Sequence, residues 1–347
     1  MKRLILFAVL LNVVLLPACF AQTDQMTVQE NRAEALKLVE KYTNALDSTL
    51  SFVEHYEKST DFSYRHYGGR RQDRGKLLER GQVRHDDQRV YRQVYHWGRL
   101  GGKDYPEDMP DYGCNIVDGK GGKRYQNNRS PGSTGRARRW SERIKVNLSR
   151  LFGISYIVGY VGSDERLDAI LRTAYRISVR ETTENVGGSW CFVIDADTKC
   201  GRYTVWLDPE HGFHPARVRR KAGRGDYTHS RLMSEGQTAL TYVDTVRFEK
   251  VDDIWVPMEA YAGCDRRMPS GDFVKEDYHY KRTQIVLNPD HDKLGSFADP
   301  ILEDPSNDPE LINGTRFEID IDGRTTEPTW QNGKLIDDNG REVDLGK

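Results

Sequence analysis

The sequence predicts a mainly β, α+β chain in which antiparallel strands meet one long N-terminal helix and a pair of inserted apolar helices. Three observations carry this. The second half holds seven strand-length segments rich in Val, Ile, Thr, Tyr and Trp at short intervals, with turn residues between them. One N-terminal segment keeps helical spacing, and one central segment is far more apolar than its surroundings.

The first residues have a different purpose. Lys2 and Arg3 precede an apolar run from Leu4 to Leu16, broken only by Asn12, and the small-residue stretch Pro17-Ala18-Cys19-Phe20-Ala21 follows. That order is a secretory signal over residues 1–21, too short in its apolar part for a permanent spanning helix of about 20 residues. Two processing sites compete. Cleavage after Ala21 gives a soluble chain starting at Gln22, whereas Leu16-Pro17-Ala18-Cys19 resembles a bacterial lipobox and would make Cys19 a lipid-bearing first residue. The expected location is the periplasm or envelope, with lipid anchoring through Cys19 as the alternative to free solution.

Charge names no partner. The 347 residues carry 52 basic and 53 acidic side chains, so loss of Lys2 and Arg3 changes the net charge from −1 to −3. The distribution is uneven: residues 65–145 hold 20 Lys/Arg against 10 Asp/Glu, and residues 286–347 hold 6 against 15. The basic residues are spread along strands, which reads as a solvated face and excludes a nucleic-acid footprint, while leaving the anionic membrane surface as a further partner.

Thr27-Val28-Gln29-Glu30 is a capping box, and Ala35, Leu38, Val39, Tyr42 and Leu46 then recur on one face, predicting a helix over 28–46. From Leu50 on the period changes to alternation, with Phe52, Glu54, Tyr56, Phe62 and Tyr64 reading as the first strands. Residues 82–97 read as a hairpin turning at Asp86-Asp87, with Val90, Arg92, Val94 and His96 on one face. Ile144, Leu148, Leu151, Phe152, Ile157 and Tyr160 belong to the apolar stretch, read as helices broken near Gly153 and at 159–163, with Arg166 to Arg172 continuing. The meander follows. Beyond Asp290 the chain is polar and acidic, and Phe317 to Ile321 with Thr329 to Ile336 could add a strand pair. The expected division is a signal over 1–21, a main domain over 22–290, and an acidic linker with a small β extension over 291–347.

Three segments offer candidate chemistry by their spacing. Glu210-His211-Gly212-Phe213-His214 brings two imidazoles beside a carboxylate, but no third ligand is near and a turn explains the same residues. No metal is expected there. Glu318-Ile319-Asp320-Ile321-Asp322-Gly323 imitates a calcium loop, yet Thr329 stands where the bidentate Glu belongs. Cys114, Cys191, Cys200 and Cys264 are an even number in an oxidising compartment, so disulfides are expected, Cys191 with Cys200 across a presumed hairpin and Cys114 with Cys264.

The stretch from Cys191-Phe192-Val193-Ile194-Asp195 through Trp206-Leu207-Asp208-Pro209-Glu210 to Arg217-Val218, with Trp255-Val256-Pro257-Met258-Glu259 further on, resembles the strand, Asp-Pro turn, strand segment of the LolA/LolB-like family of periplasmic lipoprotein carriers. The resemblance covers about residues 27–290 in outline and 189–260 in detail. The chain is longer than a bare carrier domain, and its acidic tail has no counterpart there.

The resemblance implies an antiparallel half-open β-barrel wrapping around helices, and a non-catalytic protein that takes up lipid or lipoprotein acyl chains. The expected ligand cavity is lined by Leu148, Phe152, Ile157 and Tyr160, with no catalytic residue, cofactor or metal. A different class remains open, a structural envelope module whose barrel is filled by its own helices. An exported hydrolase using His211 and His214 is the third reading. The sequence does not fix the oligomeric state.

Overall fold

A computed structural model describes residues 29–65, 72–86, 89–100, 103–105, 111–117, 121–127, 135–141, 159–228, 231–297, 317–321, 324–326, 328–332 and 334–343. The expected signal segment with Cys19, and Leu148, Phe152 and Ile157, lie outside the described residues.

Helix α1 spans residues 29–47. Its buried face is the one the spacing predicts: Ala35, Leu38, Val39, Tyr42 and Leu46 are all buried. Each of the larger side chains contributes roughly 1.5–3 kcal/mol by leaving water, an upper estimate because the unfolded chain already hides some surface. Asn31 docks the start of α1 onto a strand edge, its amide donating to the Val179 carbonyl (3.0 Å) and accepting from the Val179 N–H (2.8 Å).

The strands that follow are β1 (Phe52–Arg65), β2 (Gln72–His85), β3 (Val90–Leu100), β4 (Lys103–Tyr105), β5 (Asp111–Val117), β6 (Gly121–Asn127) and β7 (Gly135–Ser141). A short helix, α2 (Leu167–Arg172), leads into β8 (Arg176–Val179), β9 (Glu184–Val186), β10 (Ser189–Thr198), β11 (Gly201–Asp208) and β12 (His214–Ala222). After a small hairpin of β13 (Tyr227–Thr228) and β14 (Arg231–Leu232) come β15 (Thr238–Val251), β16 (Ile254–Arg267) and β17 (Phe273–Leu287). The last strands are β18 (Phe317–Ile321), β19 (Arg324–Thr326), β20 (Thr329–Gln331) and β21 (Lys334–Ile336).

Strands β10, β11, β12, β15, β16 and β17 form a meander of antiparallel neighbours. The pairing that organises the molecule is non-local: β1 joins β17, Phe52 facing Leu287 and Arg65 facing Phe273, with β2 on its other side. Strands β3, β5, β6 and β7 extend the sheet beyond β2. Among the described residues the result is one open sheet of 17 strands, a half-open barrel whose inner face carries α1.

The main core packs α1 and Leu167, Ile170 and Leu171 of α2 against Ile194, Tyr203, Val205, Val218 and Val243 of the sheet. Buried Asp168 locks the two helices together, accepting from Thr43 at 3.2 Å and from Arg166 at 2.9 Å. Arg220 is buried in the same layer and donates to the carbonyls of Cys200 (2.7 Å) and Tyr227 (2.8 Å).

Two expectations are corrected. Cys114, Cys191, Cys200 and Cys264 are all thiols. The β10–β11 hairpin turns tightly, Thr198 facing Gly201, so Cys200 sits in the turn while Cys191 lies beyond Phe192, the partner of Leu207, at the far end of the hairpin. Seven strand residues at about 3.3 Å each keep the two far outside disulfide range. Cys114 on β5 and Cys264 on β16 have β3, β2, β1 and β17 between them along the sheet. In the tail, β18 does not pair with residues 329–336. It pairs with β19 and, in parallel, with β7, while β20 and β21 form their own hairpin.

Candidate ligand-binding face

Alternation along β1 sets the site. His55 and Glu57 point to solvent, and Phe52, Glu54, Tyr56 and Lys58 turn to the inner face. Because Lys58 faces Tyr280 of β17, and Tyr280 faces Ala260 of β16 in the main core, this is the same face that carries α1.

The face has two parts. Under α1 it is filled: the space left among Tyr42, Leu46, Val161, Leu167, His214 and Val243 is about 20 Å³, room for a single water. Beyond α1 lies a second apolar cluster of Phe52, Tyr56, Val83, Val90, Met258 and Tyr280, with Tyr160 packed against it. Among the described residues Tyr160 alone in this cluster comes from outside the strands. Of the four expected cavity residues it is the one the structure describes, and it lies on this face.

Two buried charge systems are set among these apolar side chains. Glu54 accepts from Arg282 Nε at 2.5 Å and from the Tyr280 hydroxyl at 2.9 Å, and Arg282 also donates to the Pro257 carbonyl at 2.8 Å. This pair balances in charge. The second centres on Glu79 of β2, flanked in register by Lys58 on β1 and His96 on β3. Arg92 reaches it diagonally, donating to Glu79 at 2.7 Å and to the Tyr56 hydroxyl at 3.2 Å. Lys58 is 3.5 Å from Glu79, His96 is 3.4 Å away, and the Tyr56 hydroxyl donates to the same carboxylate.

Gly81 makes this geometry fit. It faces Tyr56 across β1–β2, and a Cβ there would lie 2.6 Å from the tyrosine ring. Burial alone would push the Glu79 carboxyl up, but Lys58, Arg92 and His96 hold it well below the usual carboxylate range. Burial opposes the charge on Arg92 too, and Tyr56 and Glu79 overcome it and raise its proton affinity.

The Glu210 to His214 segment serves the fold. Asp208 accepts from the Glu210 N–H at 2.9 Å and pairs with His211 at 2.7 Å, closing the 3₁₀ turn Pro209–His211 between β11 and β12. Gly212 and Phe213 follow at φ 69° and 66°. His211 stacks on Phe248 (centroids 4.6 Å apart). His214 is buried beneath α1, and burial drives its pKa down to about 4. Among the described residues no three His, Cys, Asp or Glu side chains are grouped to hold a metal ion.

Glu54, Lys58, Glu79 and Tyr280 did not emerge from sequence reasoning as site residues. One signal was present: Arg92 and His96 share the alternation phase of Val90 and Val94, so charged groups were due on a buried face. Their common carboxylate lies on another strand, and register alone brings it to them.

An open, mainly antiparallel half-barrel enclosing a helix is the class of fold this architecture defines. No family model and no curated sequence matches the chain. Among solved structures it is similar to a LolA superfamily protein from Nitrosomonas europaea, at 14% identity and a TM-score of 0.32 over 76% of this chain and 97% of that one. It is similar to a chain of the Pseudomonas aeruginosa MucA/MucB complex, at 10% identity and a TM-score of 0.23 over 74% and 99%. The ywiB protein from Bacillus subtilis is a further likeness, at 7% identity and a TM-score of 0.20 over 67% and 94%.

Proposed function

We propose that this is an exported, non-catalytic envelope protein that binds lipid or lipoprotein acyl chains on the inner face of its half-barrel, for carriage or sensing. The observation that supports it is the division of that face. Helix α1 fills one part, while the Phe52, Tyr56, Met258 and Tyr280 cluster extends the apolar surface over β1, β2, β16 and β17. Leu148, Phe152 and Ile157, from the most apolar stretch and close in sequence to Tyr160, complete the lining in this reading. Each Å² of acyl surface taken from water contributes about 25 cal/mol before ordering costs. Export rests on the order of charged, apolar and small residues over 1–21. The chain either starts at Gln22 or is anchored through Cys19.

A second reading, a structural envelope module with a self-filled barrel, draws on the narrow space beneath α1. Native mass spectrometry with lipid extraction on protein purified from its own envelope separates the two. Co-purifying lipid or acylated peptide, lost in Phe152→Glu and Ile157→Glu, supports binding. An empty protein that takes up no fluorescent fatty acid supports the self-filled module.

A further inference from the structure

Among the described residues the Glu79 cluster holds more positive charge than it neutralises. Lys58 and Arg92 are 11% and 12% exposed and share one carboxylate, itself 4% exposed. Lys58 makes a single ionic contact at 3.5 Å, and otherwise lies over the Tyr278 ring, 5.1 Å from its centroid. Arg92 uses Nε on Tyr56 and Nη2 on Glu79, which leaves its other terminal nitrogen for a further acceptor. Among the described side chains Glu54 and Glu276 are engaged elsewhere: Glu54 holds Arg282 and Tyr280, and Glu276 accepts from Tyr278 and Cys264.

A surplus cation at such burial is costly without a counter-anion. A second observation falls on the neighbouring strand β5. Asn115 faces Arg92 directly across β3–β5, is 6% exposed, and its Oδ1 has no hydrogen-bond partner. An amide can turn to offer its NH₂ there instead, as a donor to an anion.

We propose that Lys58 and Arg92, with the Asn115 amide on the strand next to Arg92, form a subsite for the anionic head group, a phosphate or a carboxylate, of an acyl ligand. This rests on the acyl-binding reading above. Arg92 already touches Tyr56, a member of the apolar cluster, so one molecule with a charged end and an apolar tail meets both surfaces. The anion's oxygens would accept from the idle Lys58 protons and the free Arg92 nitrogen together.

The test is calorimetric titration of the mature chain with dodecyl phosphate, dodecanoate, neutral monolauroylglycerol and inorganic phosphate, repeated on Lys58→Met and Arg92→Met. Lys58→Met leaves Arg92 and Glu79 as a balanced pair, so its unfolding midpoint should equal or exceed that of the parent protein. Both anionic amphiphiles should bind roughly ten- to a hundred-fold tighter than the neutral one, the size expected of charge-assisted hydrogen bonds. That advantage should vanish in Lys58→Met while the neutral amphiphile binds as before. Equal affinity for anionic and neutral amphiphiles, or an advantage that survives in Lys58→Met, overturns the subsite and leaves acyl binding standing. Inorganic phosphate binding as tightly as dodecyl phosphate overturns the head-group assignment. If no amphiphile binds at all, the acyl-binding reading fails with it.

Discussion

His214 ties acid stability to one buried ring. It sits beneath α1 among Tyr42, Leu46, Val218 and Val243, and burial lowers its pKa from 6.5 to about 4. Because the folded value lies below the unfolded one, the native state resists the proton. The stability this confers is whole above the unfolded value and is lost as the pH falls from about 6.5 toward 4. With those two values, linkage gives a loss of about 2 kcal/mol between pH 7 and pH 5, rising to about 3 kcal/mol near pH 4. His291 is shifted in the same direction by burial, so the single-site effect must be read as a difference. In His214→Gln the ring's hydrogen bond to the Trp255 backbone is lost, which costs about 1 kcal/mol at every pH. Urea unfolding of both proteins across pH 7.5 to 4.5 should therefore give curves that converge and cross as the pH falls. Parallel curves would refute the assignment, since they would mean that His214 binds its proton equally in both states.

Further outcomes follow from other buried groups. Arg282→Met should strand Glu54 in the core and cost about 3–5 kcal/mol, with Glu54→Leu/Arg282→Met recovering most of it, as read by denaturant midpoints. Gly201→Ala should cost roughly 2 kcal/mol or more in thermal unfolding, because φ is 106° and a Cβ would meet the Lys221 carbonyl at 2.4 Å. Alkylation of the unfolded chain without reductant should label Cys114, Cys191, Cys200 and Cys264 alike. A mass that changes only after reduction would show a disulfide that this fold does not form.

Much of the secondary structure was legible because it depends on local period. The buried stripe Ala35 to Leu46 follows from 3.6-residue spacing, and Gly201–Asp208 was readable as a strand from its residues alone. The cysteines show the limit. Cys191 and Cys200 look like cross-strand neighbours if the hairpin is read as a wide loop, but Thr198 accepts the Cys200 N–H at 3.0 Å and donates to Gly201 at 2.8 Å, which closes the turn early. The tail shows the same limit. Thr325 and Thr326 complete β19 beside β18, a pairing that nothing in the hydrophobic pattern distinguishes from the more distant one.

By itself the sequence determined the helix that fills the sheet, the strands of the meander and the turn chemistry around Asp208. Those properties depend on neighbours within a few positions. Only the tertiary structure decided that β1 pairs with β17 and β2, because that choice depends on which distant edges can bury their apolar faces together. With it came the site: Lys58, Glu79, Arg92 and Asn115 lie on four different strands, and register alone places two cations around one buried carboxylate.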